Sequence, residues 1–200
     1  MKFLAKANKG ALLSLGVLIV LVVYLVVVGV RQSEDQPALK AACEQYVSLA
    51  QEYSMLPDDY RDGSVLMSST QQEQYLTELR TALTPLFDSE STSSLNITCN
   101  SFKQNLQPLF SGQTAVTSNQ ITITGYQDFT YSNNLVSVTF QYSVNSSGSS
   151  KTPQGGSKPL VGRRMNNTGV ITFKKVGGDF KIVSVNMFNA VASPRMRGED

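Results

Sequence analysis

The sequence predicts an α+β fold: an N-terminal transmembrane helix, then three helices packed on a curved antiparallel sheet of about four strands. Three observations carry this prediction. Residues 11–30 form an uninterrupted run of twenty uncharged residues, with side-chain hydroxyls only on Ser14 and Tyr24. From Pro37 to Phe110, apolar residues recur at three- and four-residue steps, the spacing of one helix face. Beyond that the period falls to two, the spacing of strands with one buried and one wet face.

The apolar run sets the organisation. A helix rises about 1.5 Å per residue, so Ala11–Val30 is long enough for the roughly 30 Å hydrocarbon core of a bilayer. Lys2, Lys6 and Lys9 precede it, and Arg31, Glu34 and Asp35 follow. The excess of positive charge on the first side places the N-terminus in the cytoplasm and the C-terminal part outside. A cleaved secretory signal is the alternative, with Val27–Val28–Gly29 as a weak cleavage site. Twenty apolar residues exceed the about 7–15 of a signal core, which favours an uncleaved anchor. The expected organisation is a short cytoplasmic tail (1–10), a transmembrane helix (11–30), a polar linker (31–36), an extracytoplasmic α+β domain (37–189) and a flexible tail (190–200). The expected location is therefore the cell membrane, crossed once.

Within the domain, Pro37 suits the first turn of a helix. Leu39, Ala42, Cys43, Tyr46, Val47, Ala50, Tyr53 and Leu56 give that helix one apolar face, and Pro57–Asp58–Asp59 ends it. Thr70 and Glu73 fit the capping box of a second helix, whose face is Leu76, Leu79, Leu83, Leu86 and Phe87, with Pro85 limiting its regular part. Ser89–Ser94 reads as a loop, and a third, shorter helix spans about Asn100–Phe110.

Ile121, Ile123, Phe129 and Tyr131 mark the first strand, with Gly125 a candidate bulge. Ser132–Asn133–Asn134 is a turn. Val136, Val138, Phe140, Tyr142 and Val144 then alternate strictly with polar residues, the clearest strand signal in the chain. Residues 145–160, NSSGSSKTPQGGSKPL, read as a long flexible loop. Strand character resumes at Arg163–Val176, turns at Gly177–Gly178–Asp179, and continues through Phe180–Phe188 with Val183, Val185 and Met187 on one face.

Charge is unevenly spread. Residues 31–90 carry 11 acids against 4 bases, and residues 151–200 carry 9 bases against 3 acids. Either the two halves attract each other within the fold, or the basic end meets acidic lipid or a partner. The outer part as a whole is near neutral, which argues against nucleic acid as a partner. Cys43 and Cys99 are the only cysteines. In an oxidising compartment they either pair, closing a long loop, or stay as two buried thiols.

The order of three helices and then about four antiparallel strands, over residues 37–189, resembles the nuclear transport factor 2-like (cystatin-like) superfold. That resemblance implies a cone of helices and bent sheet around a pocket. Its layout on one N-terminal membrane helix is similar to the inner-membrane assembly subunits of type IV secretion and conjugation machines, although here only about ten residues lie on the cytoplasmic side. The layout implies other envelope proteins, or copies of the chain itself, as partners.

The search for chemistry is mostly exclusion. No histidine is present, so serine–histidine and cysteine–histidine nucleophile pairs are ruled out. No phosphate-cradling glycine motif occurs. The acidic loop Asp58, Asp59, Asp62 lacks the spacing and terminal glutamate of an EF-hand. Isomerases of the superfold use a buried aspartate with a tyrosine donor, and Asp128, between Tyr126 and Tyr131, is the one aspartate placed for that role. It alternates onto the face opposite Phe129, which reads as surface. No catalytic, cofactor or metal site is expected. The expectation is a membrane-anchored, non-enzymatic interaction or scaffold domain. The alternative is a small-molecule-binding module whose pocket is lined by Tyr46, Tyr53, Phe129 and Phe140.

Overall fold

The structure, a computed structural model, describes residues 9–152 and 155–187. The expected tail 190–200 and most of the expected tail 1–10 lie outside these residues. The order is helix α1 (Lys9–Glu52), α2 (Ser69–Leu83), α3 (Thr92–Phe110), then strands β1 (Thr114–Ser132), β2 (Leu135–Lys151), β3 (Ser157–Val176) and β4 (Asp179–Met187). The chain divides into two units, Met1–Ala38 and Leu39–Asp200.

In the first unit, α1 takes in the apolar run. Side chains of this run are described at 14–26 and 29–30. The large apolar ones stand open: Leu15 is 54% exposed and Val20 is 70% exposed. Among the described residues, no helix is long and apolar enough to cross a membrane. Residues 31–36, expected as a linker, are helical, and Pro37 lies inside α1. The proline withholds one backbone donor. Arg31, Gln32, Glu34 and Gln36 are good helix formers, so the turn before it persists.

In the second unit, α1 buries the face expected of it: Leu39, Cys43, Tyr46, Val47 and Ala50. Helix α2 differs at its start. Its cap is Ser68, not Thr70: the Ser68 hydroxyl accepts from the Gln71 N–H at 3.4 Å, and the Gln71 carbonyl Oε1 accepts from the Ser68 N–H at 2.8 Å. Glutamine serves as well as glutamate in the reciprocal box. Pro85 falls in a short 3-10 turn, Thr84–Leu86, that closes α2 as expected. Helix α3 begins at Thr92, eight residues before the expected start. Leu95, Thr98, Phe102, Leu106 and Leu109 hold one buried face along it, so core contacts override the low helix propensity of Thr92, Ser93 and Ser94. It stops at Gly112, whose φ of +64° only glycine adopts freely.

The sheet is antiparallel throughout, in the order β1-β2-β3-β4. Val136, Val138, Phe140, Tyr142 and Val144 of β2 are all buried, as the alternation predicts. The pairing of β1 with β2 shifts register between Ile123 and Gly125, at the expected bulge, and also between Val116 and Ser118 and between Tyr126 and Asp128. Asn133 (φ +53°) turns the first hairpin, and Gly177 and Gly178, both with positive φ, turn the last.

Two strand expectations are corrected. The segment 145–160 is not a long loop: β2 runs on to Lys151, β3 starts at Ser157, and the register holds from Val144↔Arg164 to Lys151↔Ser157. β1 pairs the same stretch from the other side, from Gln120↔Asn145 to Thr114↔Ser150. At one position the strands approach closely enough to require glycine. A Cβ at Gly148 would lie 1.9 Å from the Ala115 carbonyl oxygen. On β4, a register shift at Thr172/Phe173 leaves Val183 out of the pairing, and Ile182 rather than Val183 enters the core beside Val185 and Met187. A bulge reverses the inside–outside parity on its two sides.

Two apolar clusters result. The larger joins α1, α2 and α3 to the sheet through Leu39, Tyr46, Leu83, Phe140, Phe173 and Ile182, among others. The smaller gathers Leu56, Met67, Tyr75, Leu106, Phe110 and Val116.

Candidate functional site

The four aromatic residues expected to line a pocket do not meet in one. Phe140 is fully buried in the core, its ring 6.0 Å from that of Tyr142 and 6.3 Å from that of Tyr126. Phe129 is half-buried and stacks on Tyr126 at 6.0 Å. Tyr53 packs at 5.4 Å on Tyr75, in the other cluster. Tyr46 lines a cleft of about 80 Å³, together with Ala50, Ile97, Phe102, Val185 and Met187. That space holds a few waters and is well below the roughly 300–1,000 Å³ of small-molecule sites. A second cleft of about 230 Å³, beside the β2–β3 turn, is walled by Asp62, Gly112, Lys151 and Gly156, with no aromatic side chain.

Cys43 and Cys99 are both free thiols, Cys43 buried and Cys99 half-buried. Burial, helped by the charge of Glu44, pushes the Cys43 thiol up to about 12. Burial also raises Cys99, against the opposing pull of Arg80. Both shifts run opposite to the lowered pKa that activates a nucleophilic thiol.

Asp128 lies on an exposed face. Its carboxylate accepts from the Phe129 N–H at 2.8 Å and from the Thr130 hydroxyl at 2.6 Å. This is a solvated turn-like arrangement and not the apolar enclosure a general-base aspartate needs. In the acidic loop, Asp58 pairs with Arg61 at 2.6 Å. Hydrogen bonds from the Ser64 hydroxyl and N–H hold the Asp62 carboxyl below its ordinary value. Among the described residues, no group of three acids or cysteines is arranged to hold a metal ion.

The uneven charge has a structural counterpart. Lys174 on β3 contacts the Glu90 carboxylate at 2.6 Å and the buried Asp88 carboxylate at 3.6 Å, and the Glu90 contact raises its pKa. Lys181 on β4 donates to the Pro85 carbonyl at 2.9 Å, and the Asp88 N–H donates to the Ile182 carbonyl at 2.9 Å. The basic strands thus clasp the acidic segment between α2 and α3.

Sequence reading missed two further constellations. Asn119, buried on β1, donates to the Ser54 hydroxyl at 2.6 Å and accepts from the Ser146 hydroxyl at 2.6 Å. Beside it, the Ile121 N–H donates to the Gln51 side-chain carbonyl at 2.8 Å. Lys40 places its ammonium 5.3 Å from the Tyr126 ring centroid, while the Tyr126 hydroxyl donates to the Lys40 carbonyl at 3.1 Å. The Asn119–Ser54, Ile121–Gln51 and Tyr126–Lys40 bonds each join residues more than sixty positions apart, and no local motif announces them.

No protein-family model matches the chain, and no curated protein matches it. Among solved structures, it is similar to a nuclear transport factor 2 (NTF2-like) superfamily protein from Salmonella enterica subsp. enterica serovar Typhimurium: 13% identity, 49% of this chain and 66% of that one, TM-score 0.26. It is also similar to a periplasmic fragment of TraM: 11% identity, 73% of this chain and 96% of that one, TM-score 0.34. At these scores neither likeness bears on what the chain does. The α+β plan stands on the element order and strand register themselves.

Proposed function

We propose that the chain is a membrane-anchored, non-enzymatic interaction domain, an assembly subunit of an envelope, secretion or conjugation complex. The observation that carries this reading is the open apolar surface of α1. Every large apolar side chain from Leu15 to Val26 is at least half exposed. Such a surface is costly in water at about 25 cal/mol per Å², so lipid or a partner must cover it. The basic tail before it and the twenty-residue run favour lipid. Among the described residues beyond it, Phe140 is buried in the core and the cleft at Tyr46 is about 80 Å³, which supports a role played by the surface.

Native extraction in mild detergent, followed by mass spectrometry of what co-purifies, tests this. The expected result is a stoichiometric set of envelope proteins. A lone protein that leaves the membrane in an alkaline carbonate wash overturns the reading.

A further inference from the structure

The apolar run of α1 is not alike on all sides. Gly16 has no side chain, and a Cβ placed there would meet nothing within 4 Å. The gap, with Val17, Val20, Leu21 and Tyr24 around it, forms an open groove along the helix. These positions recur at three- and four-residue steps, the spacing of one helix face. The groove is apolar but for one group, the Tyr24 hydroxyl. Tyr24 is 64% exposed, and its hydroxyl has no hydrogen-bond partner among the described residues.

We infer that this face of α1, carrying Gly16, Val20 and Tyr24, packs in the bilayer against the same face of a second copy of the chain, the two helices parallel and the two Tyr24 hydroxyls bonded to each other. Lipid covers the remaining faces. The inference rests on the membrane-anchored reading above and goes beyond it.

Depth makes the hydroxyl informative. Tyr24 lies about 5 Å past the middle of the apolar run and about 9 Å short of Val30. Helical side chains lean toward the helix N-terminus, so the ring leans to the middle of the bilayer and not to the nearer surface. A hydroxyl without a hydrogen bond is costly in hydrocarbon, and lipid tails offer none. Apolar contact does not by itself draw helices together in lipid; close packing and interhelical hydrogen bonds do. The face has one device for each. The Gly16 gap lets two backbones approach, and the Tyr24 hydroxyl bonds across.

The same features select a second copy. Two copies cross in the same direction, behind the same lysine tail, so Gly16 meets Gly16 and Tyr24 meets Tyr24 at one depth. A hydroxyl both donates and accepts, so each tyrosine supplies what the other lacks. That self-complementarity is what a twofold interface requires of a patch. Residues 11–30 set no charge against its own copy. Lys9 lies about 10 Å along the helix from Gly16, roughly one Debye length.

The test places single cysteines from Leu15 to Val26, in a Cys43→Ala/Cys99→Ala background, and cross-links the full-length chain by oxidation in native membranes. Dimer yield should be about tenfold higher at Val17, Val20 and Leu21 than at Leu15, Val22 and Val26 on the opposite side. With the natural cysteines in place, sedimentation equilibrium in mild detergent should show association weakened about threefold by Tyr24→Phe and about tenfold by Gly16→Leu, and unchanged by Val22→Leu. An alkaline carbonate wash of each variant reports whether it is still inserted.

Even cross-linking around the helix overturns the pairing, as does a Tyr24→Phe chain that associates as tightly as the unaltered one. Cross-links on this face to a protein of another mass put a different helix in the groove and overturn the second copy. If the unaltered chain stays in the membrane through the wash, these results leave the anchoring reading standing; if the wash releases it, both fail.

Discussion

Asn119 and Cys43 show what single residues contribute. Asn119 is 4% exposed, and its amide both gives and receives a hydrogen bond, linking α1 to the β1–β2 ladder. Asn119→Ala removes both of these hydrogen bonds and should cost about 1–3 kcal/mol in a urea unfolding titration. Ser54 keeps its bond to the Gln51 carbonyl at 2.6 Å and is not stranded. Cys43 carries a pH dependence. Its folded pKa, about 12, lies above the about 8.5 of an unfolded thiol. The folded state therefore holds the proton longer. Stability from this group is complete below the unfolded value and falls as pH rises through the range up to about 12. Buried Tyr46 and Tyr75 and half-buried Tyr126 are raised in the same direction by burial. Unfolding midpoints at pH 8 and pH 10.5 should show the loss, and Cys43→Ala should reduce it; an unchanged slope would mean that the thiol is not held neutral by the fold. Cys43 and Asn119 mark opposite limits of sequence reading. Cys43 fell on the helix face that periodicity identified, whereas Asn119 is a polar residue whose burial depends on partners 65 and 27 positions away.

At the scale of elements, the β2–β3 hairpin is the informative case. Its arms are serine- and glycine-rich, and composition alone reads this as a loop. Gly148→Ala would push a methyl group into the Ala115 carbonyl, a backbone contact that cannot relax cheaply. The expected cost is about 1–3 kcal/mol, with faster hydrogen exchange confined to Thr114–Ser118 and the hairpin arms. Exchange unchanged in those segments would show that the close approach is not kept in solution. Helix α2 gives a simpler prediction: Ser68→Ala removes the cap and should cost about 1 kcal/mol by denaturant titration, whereas Thr70→Ala should cost less, since Thr70 lies past the cap. The clasp between β3 and the α2–α3 segment is asymmetric. Asp88 is buried and Glu90 is open. Lys174→Met, which leaves Asp88 buried without its cation, should therefore lower stability more than Glu90→Ala, as read from paired thermal melts.

For the whole molecule, the apolar stretch of α1 and the folded unit from Leu39 onward pose different physical problems. The first exposes apolar side chains and must be covered; the second satisfies its own core and hydrogen bonds. Among the described residues no buried side-chain nitrogen or oxygen lacks a partner. The full-length chain should accordingly stay with membranes through a carbonate wash, while a fragment beginning near Leu39 should not pellet with them. Recovery of the full-length chain in the wash supernatant would contradict the anchor.

The sequence by itself determined the apolar run, the three helices, the alternating strand β2 and both tight hairpin turns, because each is written in a local period or in a residue with a special φ. The tertiary structure alone decided the start of α3, the parity of β4, the fate of the polar hairpin and the placement of the four aromatics. Those features depend on partners far along the chain: Ile182 rather than Val183 points inward because of how β4 meets β3. Phe140 is core and not pocket wall because Gly169 and Tyr142 lie against it. Local pattern specifies which residues want burial; only the assembled sheet and helices specify what buries them.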